Sequence, residues 1–487
     1  MTAVTPSATE APADDAFLRI ELRGLEPVPR EARHGRPREL FFIWAGALSD
    51  FFSLFAGALL ISSGLGFLDA VLVLGLGAAA GATFLGLLSV TGARSGAPQI
   101  VQSRRVFGLR GASIGGALTL LIAVGWFAYD CAIAVTTTRA LPGVSATPGW
   151  VAGALLGAIT VISFVVAVFG HRTIAVFQTV QVPLFIAICL ALVGFTAGHM
   201  HLGLATSLAP GPHLATLALG FTLTFALIVS WVTYAADYSR YLPEASSGLR
   251  IALASGGGSS ASLVACGILG AAIQTADPHL LLTTLIVHLV PVWFAAVFAA
   301  FIIVAELSSN YLNVYSAALC ALAIGLRMRR WAAALTVGAI GGLIAALVLF
   351  AGNGFQANYV NFLTLTYVWF PAWGVVVILD SLVRPARLDA DQITAQRGYW
   401  FRRGVRWPML LAFAIGTAAT VLFFNEPPPP GQFGWVSPVA QRLFGGQPAD
   451  ISGFVGTGIT VVAYFALRRL ELRRSGLRPV PLPRSPR

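Results

Sequence analysis

Long apolar runs, separated by short polar or charged segments, follow one another from about residue 41 to residue 467. About 20 predominantly apolar residues are needed for a helix to cross the hydrocarbon core of a bilayer. Breaks at charged, proline-rich and glycine-rich positions therefore predict an all-α polytopic membrane protein with twelve transmembrane helices. These spans lie near residues 41–65, 69–91, 113–138, 150–169, 174–197, 214–235, 251–274, 291–325, 331–351, 358–380, 408–424 and 452–467.

The segments outside the spans are short. Residues 1–40 are polar and lack the apolar core and cleavage site of a signal peptide. Residues 384–407 form a predicted loop and residues 468–487 a basic tail; disorder is expected up to about residue 16 and from about residue 472. The eighth span is too long for one straight crossing, so we expect it to begin with an interfacial loop segment at His288–Trp293. The proline-rich residues 427–430 are assigned to an external loop.

Composition and charge sharpen this prediction. The chain is 57% hydrophobic and 10% charged, whereas soluble proteins carry roughly 25% charged residues, which excludes a soluble enzyme. All 31 basic residues are arginine, and the twelve-span scheme puts 29 of them on one side, with Arg139 and Arg442 opposite. Cytoplasmic loops are enriched in arginine and lysine. The charge of +11 thus predicts a cell-membrane protein with both termini in the cytoplasm, and not a nucleic-acid partner.

Cysteine and histidine give no sign of a cofactor or an enzyme. Four cysteines lie within apolar stretches, which offers neither a disulfide framework nor paired metal ligands; they are Cys131, Cys189, Cys266 and Cys320. His199, His201 and His213 fall in one external loop, where the sequence shows no nearby carboxylate. An integral membrane enzyme is therefore disfavoured, and no cofactor is expected.

Three carboxylates lie inside predicted spans: Asp50 in the first, Asp130 in the third and Glu306 in the eighth. A carboxylate at the centre of a membrane helix costs about 2.5–3.5 kcal/mol on insertion scales. Such residues are accordingly candidates for a solute or ion pathway. The alternative for each is a structural hydrogen bond to a neighbouring helix.

Helical spacing adds polar and aromatic partners to two of these acids. Trp126 and Asp130 are four residues apart, so an aromatic plane and an acceptor share one helix face, as a flat, donor-bearing solute requires. Glu306 begins a polar stripe that must face protein or water rather than lipid. Its other members are Ser309, Asn310 and Asn313, with Ser308 beside them. Polar contacts between helices are the alternative role for this stripe.

Two spans contain sites where a helix could break in mid-membrane. These are Ser49–Ser53 in the first span and Ser230–Tyr234 in the sixth, a region that includes Trp231. Broken helices expose backbone groups that coordinate ions and polar ligands. The polar and acidic candidate residues occur in spans one, three, six and eight. Because spans one and three of the first five correspond to spans six and eight of the next five, we predict an inverted repeat of two five-helix units, 41–197 and 214–380, plus two additional helices at 408–467.

Four motifs resemble the nucleobase:cation symporter-1 family of cytosine, purine, uracil, allantoin and hydantoin permeases. They are Gly-Ala-Arg-Ser-Gly with Ser-Arg-Arg-Val-Phe-Gly-Leu-Arg-Gly (92–111), Val-Gly-Trp-Phe (124–127), Ala-Asp-Tyr-Ser-Arg-Tyr-Leu-Pro (236–243), and Ser-Ser-Asn with a downstream Tyr-Ser (308–316). The resemblance implies a LeuT-like fold with alternating access. It also implies a planar base bound between spans one, three, six and eight.

The resemblance implies roles for individual residues. The base stacks on Trp126 and meets Asp130, where many members carry an amide or small residue, so a carboxylate favours substrates rich in N–H donors. Ser230 and Trp231 are the sixth-span contacts, although the second aromatic position falls on either Trp231 or Ile228. Asn310 and Asn313 contact the base. Ser308 and Ser309 match a hydroxyl pair that helps to bind Na+ together with first-span carbonyls.

The substrate and the coupling ion remain open at this stage. Purine or cytosine comes ahead of allantoin, hydantoin or a thiamine-precursor pyrimidine, and Trp126 disfavours an amino acid, which has no flat ring to stack. Oxygen ligands favour Na+ as the coupling ion; a proton carried by Asp50 or Glu306 is the alternative. The sequence does not indicate an oligomeric state.

Overall fold

The computed structural model describes residues 17–21, 23–351, 355–384, 399–426, 435–444 and 450–475, without the side chains of 355–361, 364, 426, 435, 444, 474 and 475. Within these residues, ten single helices and one bent pair are long and apolar enough to cross a membrane. The helices are α1 (Pro37–Ala47), α2 (Phe51–Ser62), α3 (Phe67–Ser95), α4 (Gln99–Phe107), α5 (Leu109–Arg139), α6 (Gly149–Val168), α7 (His171–Thr196), α8 (Pro210–Val229), α9 (Ala235–Ser239), α10 (Gly248–Gln274), α11 (Leu282–Leu289), α12 (Val292–Ala323), α13 (Arg330–Phe350), α14 (Phe355–Val383), α15 (Trp407–Phe423), α16 (Pro438–Phe444) and α17 (Ser452–Ser475).

The predicted all-α membrane architecture is confirmed, with small differences at the carboxyl-terminal end. A helix, α17, occupies the place of the twelfth span and packs against α14 and α15. Its apolar run ends at Arg468, and it continues to Ser475, beyond the expected start of disorder at residue 472. Asn425–Glu426 and Trp435–Val436 form a short antiparallel pair. The predictions for residues 1–16, 427–430 and most of the 384–407 loop lie outside the described residues.

The first predicted helix break is a sharp bend, whereas the second is a local distortion within a continuous helical span. The first span bends by 55° between α1 and α2. The break follows from Asp50, which has extended backbone angles and whose side chain accepts a hydrogen bond from the Ser53 N–H, as helix N-caps do. In the sixth span α8 ends at Val229, and a 3₁₀ turn at Val232–Tyr234 leads into α9.

Glycines allow α10 to pack directly against the broken first span. A Cβ on Gly57 would lie 1.7 Å from the carbonyl oxygen of Gly267, and a Cβ on Gly258 would lie 2.3 Å from the carbonyl oxygen of Phe41. Small residues are the usual means by which membrane helices approach closely, because apolar burial alone does not drive their association in lipid. This contact holds both halves of the first span against one straight helix.

The eighth span is α12, a helix of 32 residues and thus about 48 Å long. It is preceded by the short helix α11, and the non-helical link is confined to Val290 and Pro291, since Trp293 already lies in the first turn of α12. The expected interfacial loop at His288–Trp293 is therefore mostly helical. Side chains from Ala305 to Ala321 are all buried, which places the polar stripe inside the helix bundle.

A buried polar cluster anchors the amino-terminal segment to the bundle. The Glu21 carboxylate accepts hydrogen bonds from the Tyr241 hydroxyl at 2.6 Å, the Tyr315 hydroxyl at 3.1 Å, the Arg240 guanidinium at 3.2 Å and the His171 backbone N–H at 3.0 Å. Its backbone carbonyl accepts hydrogen bonds from Arg330. One residue thus connects the loop after α9 with α7, α12 and α13.

We expect Glu21→Ala to lower the melting temperature of the purified protein. The Arg240 side chain is fully buried, and removing one partner of a buried ion pair typically costs about 3–5 kcal/mol. Glu26→Ala is the matched control, since Glu26 is exposed. Equal melting temperatures for Glu21→Ala and Glu26→Ala would show that the cluster does not stabilise the fold.

Candidate functional site

Two of the three intramembrane acids bind the amino-terminal end of α2. The Glu306 carboxylate accepts the N–H of Phe51 at 3.0 Å, and the Asp50 carboxylate accepts the N–H of Ser53 at 2.8 Å. A helix N-terminus carries unpaired N–H groups and a partial positive charge, which carboxylates stabilise. Asp50 and Glu306 therefore act as caps of the α2 N-terminus, and the hydrogen bond of Glu306 also connects α12 to the first span.

Asp130, the third acid, faces the polar stripe of α12. The Asn313 amide donates to an Asp130 carboxylate oxygen at 3.1 Å, and the Asn310 amide donates to the Phe127 carbonyl at 3.4 Å. Asp130 also interacts electrostatically with Asp50 and Glu306. Among the described residues, no arginine or histidine forms an ion pair with any of these three acids. The structure thus brings Asp50, Asp130, Glu306, Asn310 and Asn313 into one buried cluster.

Several acceptor oxygens in this cluster are buried without a hydrogen-bond donor from the described part of the chain. They are the amide oxygens Asn310 Oδ1 and Asn313 Oδ1, the Ser308 hydroxyl, which can also donate, and the carboxylate oxygens Asp130 Oδ1 and Glu306 Oε2; these two carboxylates lie beside each other, and Asp130 also lies beside Ser309. Buried polar atoms in folded proteins nearly always have partners, so a group of orphaned acceptors calls for an explanation. Donors from a bound solute, or a cation, are the chemical species that such oxygens accept.

Trp126 lies one helical turn from Asp130, in contact with two other aromatic rings. Phe52 of α2 lies edge-on to it with ring centroids 5.6 Å apart, and Phe362 of α14 does so at 5.2 Å. The preceding Gly125 permits this arrangement, because a Cβ there would lie 2.2 Å from the Phe362 ring. An aromatic platform therefore borders the acceptor cluster, at the meeting point of three helices.

The sixth-span candidates lie in a different environment. Trp231 packs edge-on against Trp44, with ring centroids 6.1 Å apart, and the Ser230 hydroxyl donates to the Leu227 carbonyl of its own helix. Ile228, the other candidate for the second aromatic position, is buried against Gly81 of α3. No described contact joins Ser230, Trp231 or Ile228 to the acceptor cluster.

Sequence reasoning missed two glutamines on α7 that contact the broken helix. The Gln181 amide donates to the Ser49 carbonyl at 3.2 Å and, more weakly, to the Gly46 carbonyl at 3.5 Å. The Gln178 amide donates to the Ser308 carbonyl at 3.2 Å. The sequence feature that could have identified them is the presence of two glutamines, three residues apart, in an otherwise apolar span. Ser308 and Ser309 are buried residues of α12, the helix to which Gln178 of α7 donates its hydrogen bond.

The motif at 236–243 forms hydrogen bonds to other helices, and these contacts cannot be read from the sequence. The Asp237 carboxylate accepts the N–H of Gln99 at 2.8 Å, near the start of α4, and the Ser239 hydroxyl donates to the Ser89 carbonyl of α3 at 2.6 Å. The Tyr238 hydroxyl donates to the Leu312 carbonyl of α12 at 3.0 Å. This motif therefore joins α3, α4 and α12, and its Arg240 and Tyr241 contact Glu21.

One expectation about histidine is wrong. His213 does have a nearby carboxylate, because its imidazole lies 2.7 Å from Asp69 at the start of α3. The two residues are distant in sequence, so only folding brings them together. This contact is not a metal centre: no group of three or more histidine, cysteine or acidic residues in the described parts of the chain could hold a metal ion.

Comparison with known proteins identifies the family. Residues 27–456 match the profile of a family described as permeases for cytosine/purines, uracil, thiamine and allantoin. "Putative purine-cytosine permease YxlA" of Bacillus subtilis is 26% identical over 470 residues, which cover 94% of this chain and 98% of that protein. Purine-cytosine permease FCY2 of Saccharomyces cerevisiae is 25% identical over 509 residues, covering 95% of this chain and 88% of the yeast protein.

The fold also matches a solved structure. Mhp1, a nucleobase-cation-symport-1 family transporter in a closed conformation with bromovinylhydantoin bound, superposes with a TM-score of 0.70 at 19% identity. The match covers 95% of this chain and 96% of Mhp1. The fold class predicted from the sequence is thereby confirmed. With a profile match over most of its length, this multi-pass membrane protein belongs to the family of cytosine/purine, uracil, thiamine and allantoin permeases and is a transporter, not an enzyme.

Proposed function

We propose that the protein imports a planar heterocycle rich in N–H donors, in the first place a purine or cytosine, by symport with a cation. The observation that carries this proposal is the group of orphaned acceptor oxygens beside Trp126. An N–H-bearing base edge supplies the donors that these oxygens lack. A site of buried acceptors also rejects solutes without matching donors, because its polar groups then stay unpaired.

Trp126 would hold the ring of the solute. Stacking of a base on an aromatic side chain is worth about 1–3 kcal/mol. Because Trp126 and Asp130 share one face of α5, a flat ring on the indole would present its edge towards Asp130 and Asn313. Phe52 and Phe362, which pack edge-on against the indole, would border a flat ring bound there.

The relatives support this substrate class, and one alternative stays in view. YxlA and FCY2 are named for purine and cytosine, whereas Mhp1 is described with a hydantoin bound. Allantoin, hydantoin or a thiamine-precursor pyrimidine is therefore the second candidate, since all are donor-bearing heterocycles. An amino acid offers no ring for Trp126.

Transport would occur by alternating access of two five-helix repeats, 41–197 and 214–380. The α-helix is interrupted at corresponding places in the first and sixth spans, by a 55° bend in one and a 3₁₀ turn in the other, and such interruptions are a feature that repeats of this kind share. The arginine distribution supports placing both termini in the cytoplasm of a cell-membrane protein. The coupling cation is Na+ or H+. Asp50 and Glu306 accept N–H groups at the first-span break, and Ser308 and Ser309, which follow Glu306 on α12, are the other candidates for cation coupling.

Thermal-shift measurements on the purified protein test the substrate class. Adenine, guanine, hypoxanthine, cytosine, uracil, allantoin, hydantoin and an aminomethylated pyrimidine would be compared with leucine as control. We expect a purine or cytosine to raise the melting temperature most, since a ligand that binds only the folded state stabilises it. A rise with leucine and none with any heterocycle would refute the proposal.

Replacement of Trp126 tests stacking. Trp126→Ala should weaken binding of the best heterocycle by roughly 5- to 150-fold, which corresponds to a loss of about 1–3 kcal/mol. Trp126→Phe should retain part of the affinity because it keeps an aromatic face. Trp150→Ala serves as the matched control, since Trp150 is exposed near the start of α6. Equal affinities for Trp126→Ala and Trp126→Phe would remove stacking from the mechanism.

Replacement of Asp130 tests donor recognition. Asp130→Asn exchanges one acceptor oxygen for a donor, and hydrogen bonds to charged groups are worth about 1.5–3 kcal/mol. Donor-rich bases should lose roughly 10- to 150-fold in affinity, and the order in which bases compete for uptake should change. Asp277→Asn, at an exposed position, is the control. An unchanged competition order would exclude Asp130 from base recognition.

A further inference from the structure

Both sides of the break in the first span have unpaired backbone groups that need partners. A broken helix leaves N–H groups at the start of one half and carbonyl groups at the end of the other, and lipid supplies no hydrogen bonds to either. Glu306 and Asp50 take the N–H side, as described above. The carbonyl side is the place at which the family resemblance leads us to expect Na+, bound with Ser308 and Ser309.

One side-chain amide already occupies that carbonyl side, and a second pairs with the facing carbonyl of α12. Gln181 donates to the carbonyls of Ser49 and Gly46, and Gln178 donates to the carbonyl of Ser308. Both glutamines are almost fully buried, so water does not compete for these contacts. The three carbonyls belong to the two elements that a bound cation would bridge, the first-span break and α12.

The close approach of α7 to the break depends on a glycine. A Cβ at Gly46 would lie only 1.7 Å from Gln178 Oε1, so any larger residue at position 46 would displace the glutamine. Gln178 and Gln181 are three residues apart and therefore lie on one face of α7. The absence of a side chain at Gly46 and the placement of both glutamines on one helix face together allow the pair to reach the break.

We propose that Gln181, assisted by Gln178, is a built-in substitute for a metal cation at the crossing of α1, α7 and α12. The positive end of an amide N–H points at the carbonyl oxygens that Na+ would coordinate, and it opposes a cation there. The backbone carbonyls at the crossing then pair with amide N–H groups in place of sodium, and Gln181 is a positioning residue that sets the ion requirement of the transporter. This inference deepens the proposed function by excluding Na+ from this crossing.

Sodium binding to the purified full-length protein tests the proposal without any heterocycle. Radiolabelled Na+ binding and melting temperature would be measured in NaCl against choline chloride at equal ionic strength. Wild type should show no saturable Na+ binding and no Na+-dependent shift. Saturable binding to wild type that Ser308→Ala abolishes would overturn the proposal.

Variants at position 181 test whether the glutamine itself is responsible. Gln181→Ala frees the carbonyls, and Gln181→Glu keeps the side-chain size while it replaces the amide donor by an oxygen. Each should gain a saturable Na+-dependent rise in melting temperature. Gln181→Glu keeps the test usable if Gln181→Ala does not fold. Thr179→Val is the control, because the exposed Thr179 bonds to the Ala175 carbonyl of its own helix. If wild type and both variants are equally indifferent to Na+, Gln181 does not have this role.

These binding measurements are independent of the substrate. If no heterocycle stabilises the protein, the proposed function fails, but the Na+ experiments still decide the role of Gln181. Conversely, Na+ binding to wild type would not affect the proposal for the heterocycle site, and it would overturn only the proposal that the Gln181 amide takes the place of Na+.

Discussion

The structure depends on one constraint: a helix broken inside a membrane must find partners for its backbone groups within the protein. The first span breaks at residues 48–50, and the neighbouring helices are arranged around that break. α12 supplies Glu306 to the N–H side, and α7 supplies Gln181 to the carbonyl side. α10 packs against both halves through glycines. The positions of these three helices follow from this requirement as much as from apolar packing.

The same criterion separates structural from functional polar groups. Asp50 and Ser230 are satisfied by backbone groups of their own or adjoining helix segments, which is sufficient reason for their presence. Asp130, Asn310 and Asn313 each retain an acceptor oxygen without a donor among the described residues. These unpaired oxygens lie beside an aromatic plane, and that combination gives the substrate proposal its chemical direction.

A second polar network lies where the amino-terminal segment meets the bundle. Glu21 joins His171 of the first predicted repeat to Arg240 and Tyr315 of the second, and Asp237 caps a helix near the same side. Several residues of the motif at 236–243 therefore act through packing between helices. This explains why that motif identifies the family but says little about its substrate.

The sequence by itself determined the membrane class, nearly all of the spans, the place of the first-span break and the family, because hydrophobic length, arginine asymmetry and local polar residues are encoded along the chain. It also singled out Trp126, Asp130 and the stripe on α12, since helical spacing is a local property. Only the tertiary structure decided which acids cap α2, that Trp231 packs on Trp44, that His213 meets Asp69, and that Gln178 and Gln181 reach the break. These contacts join residues far apart in sequence, and their partners are fixed by how helices pack and which backbone groups the breaks leave unpaired.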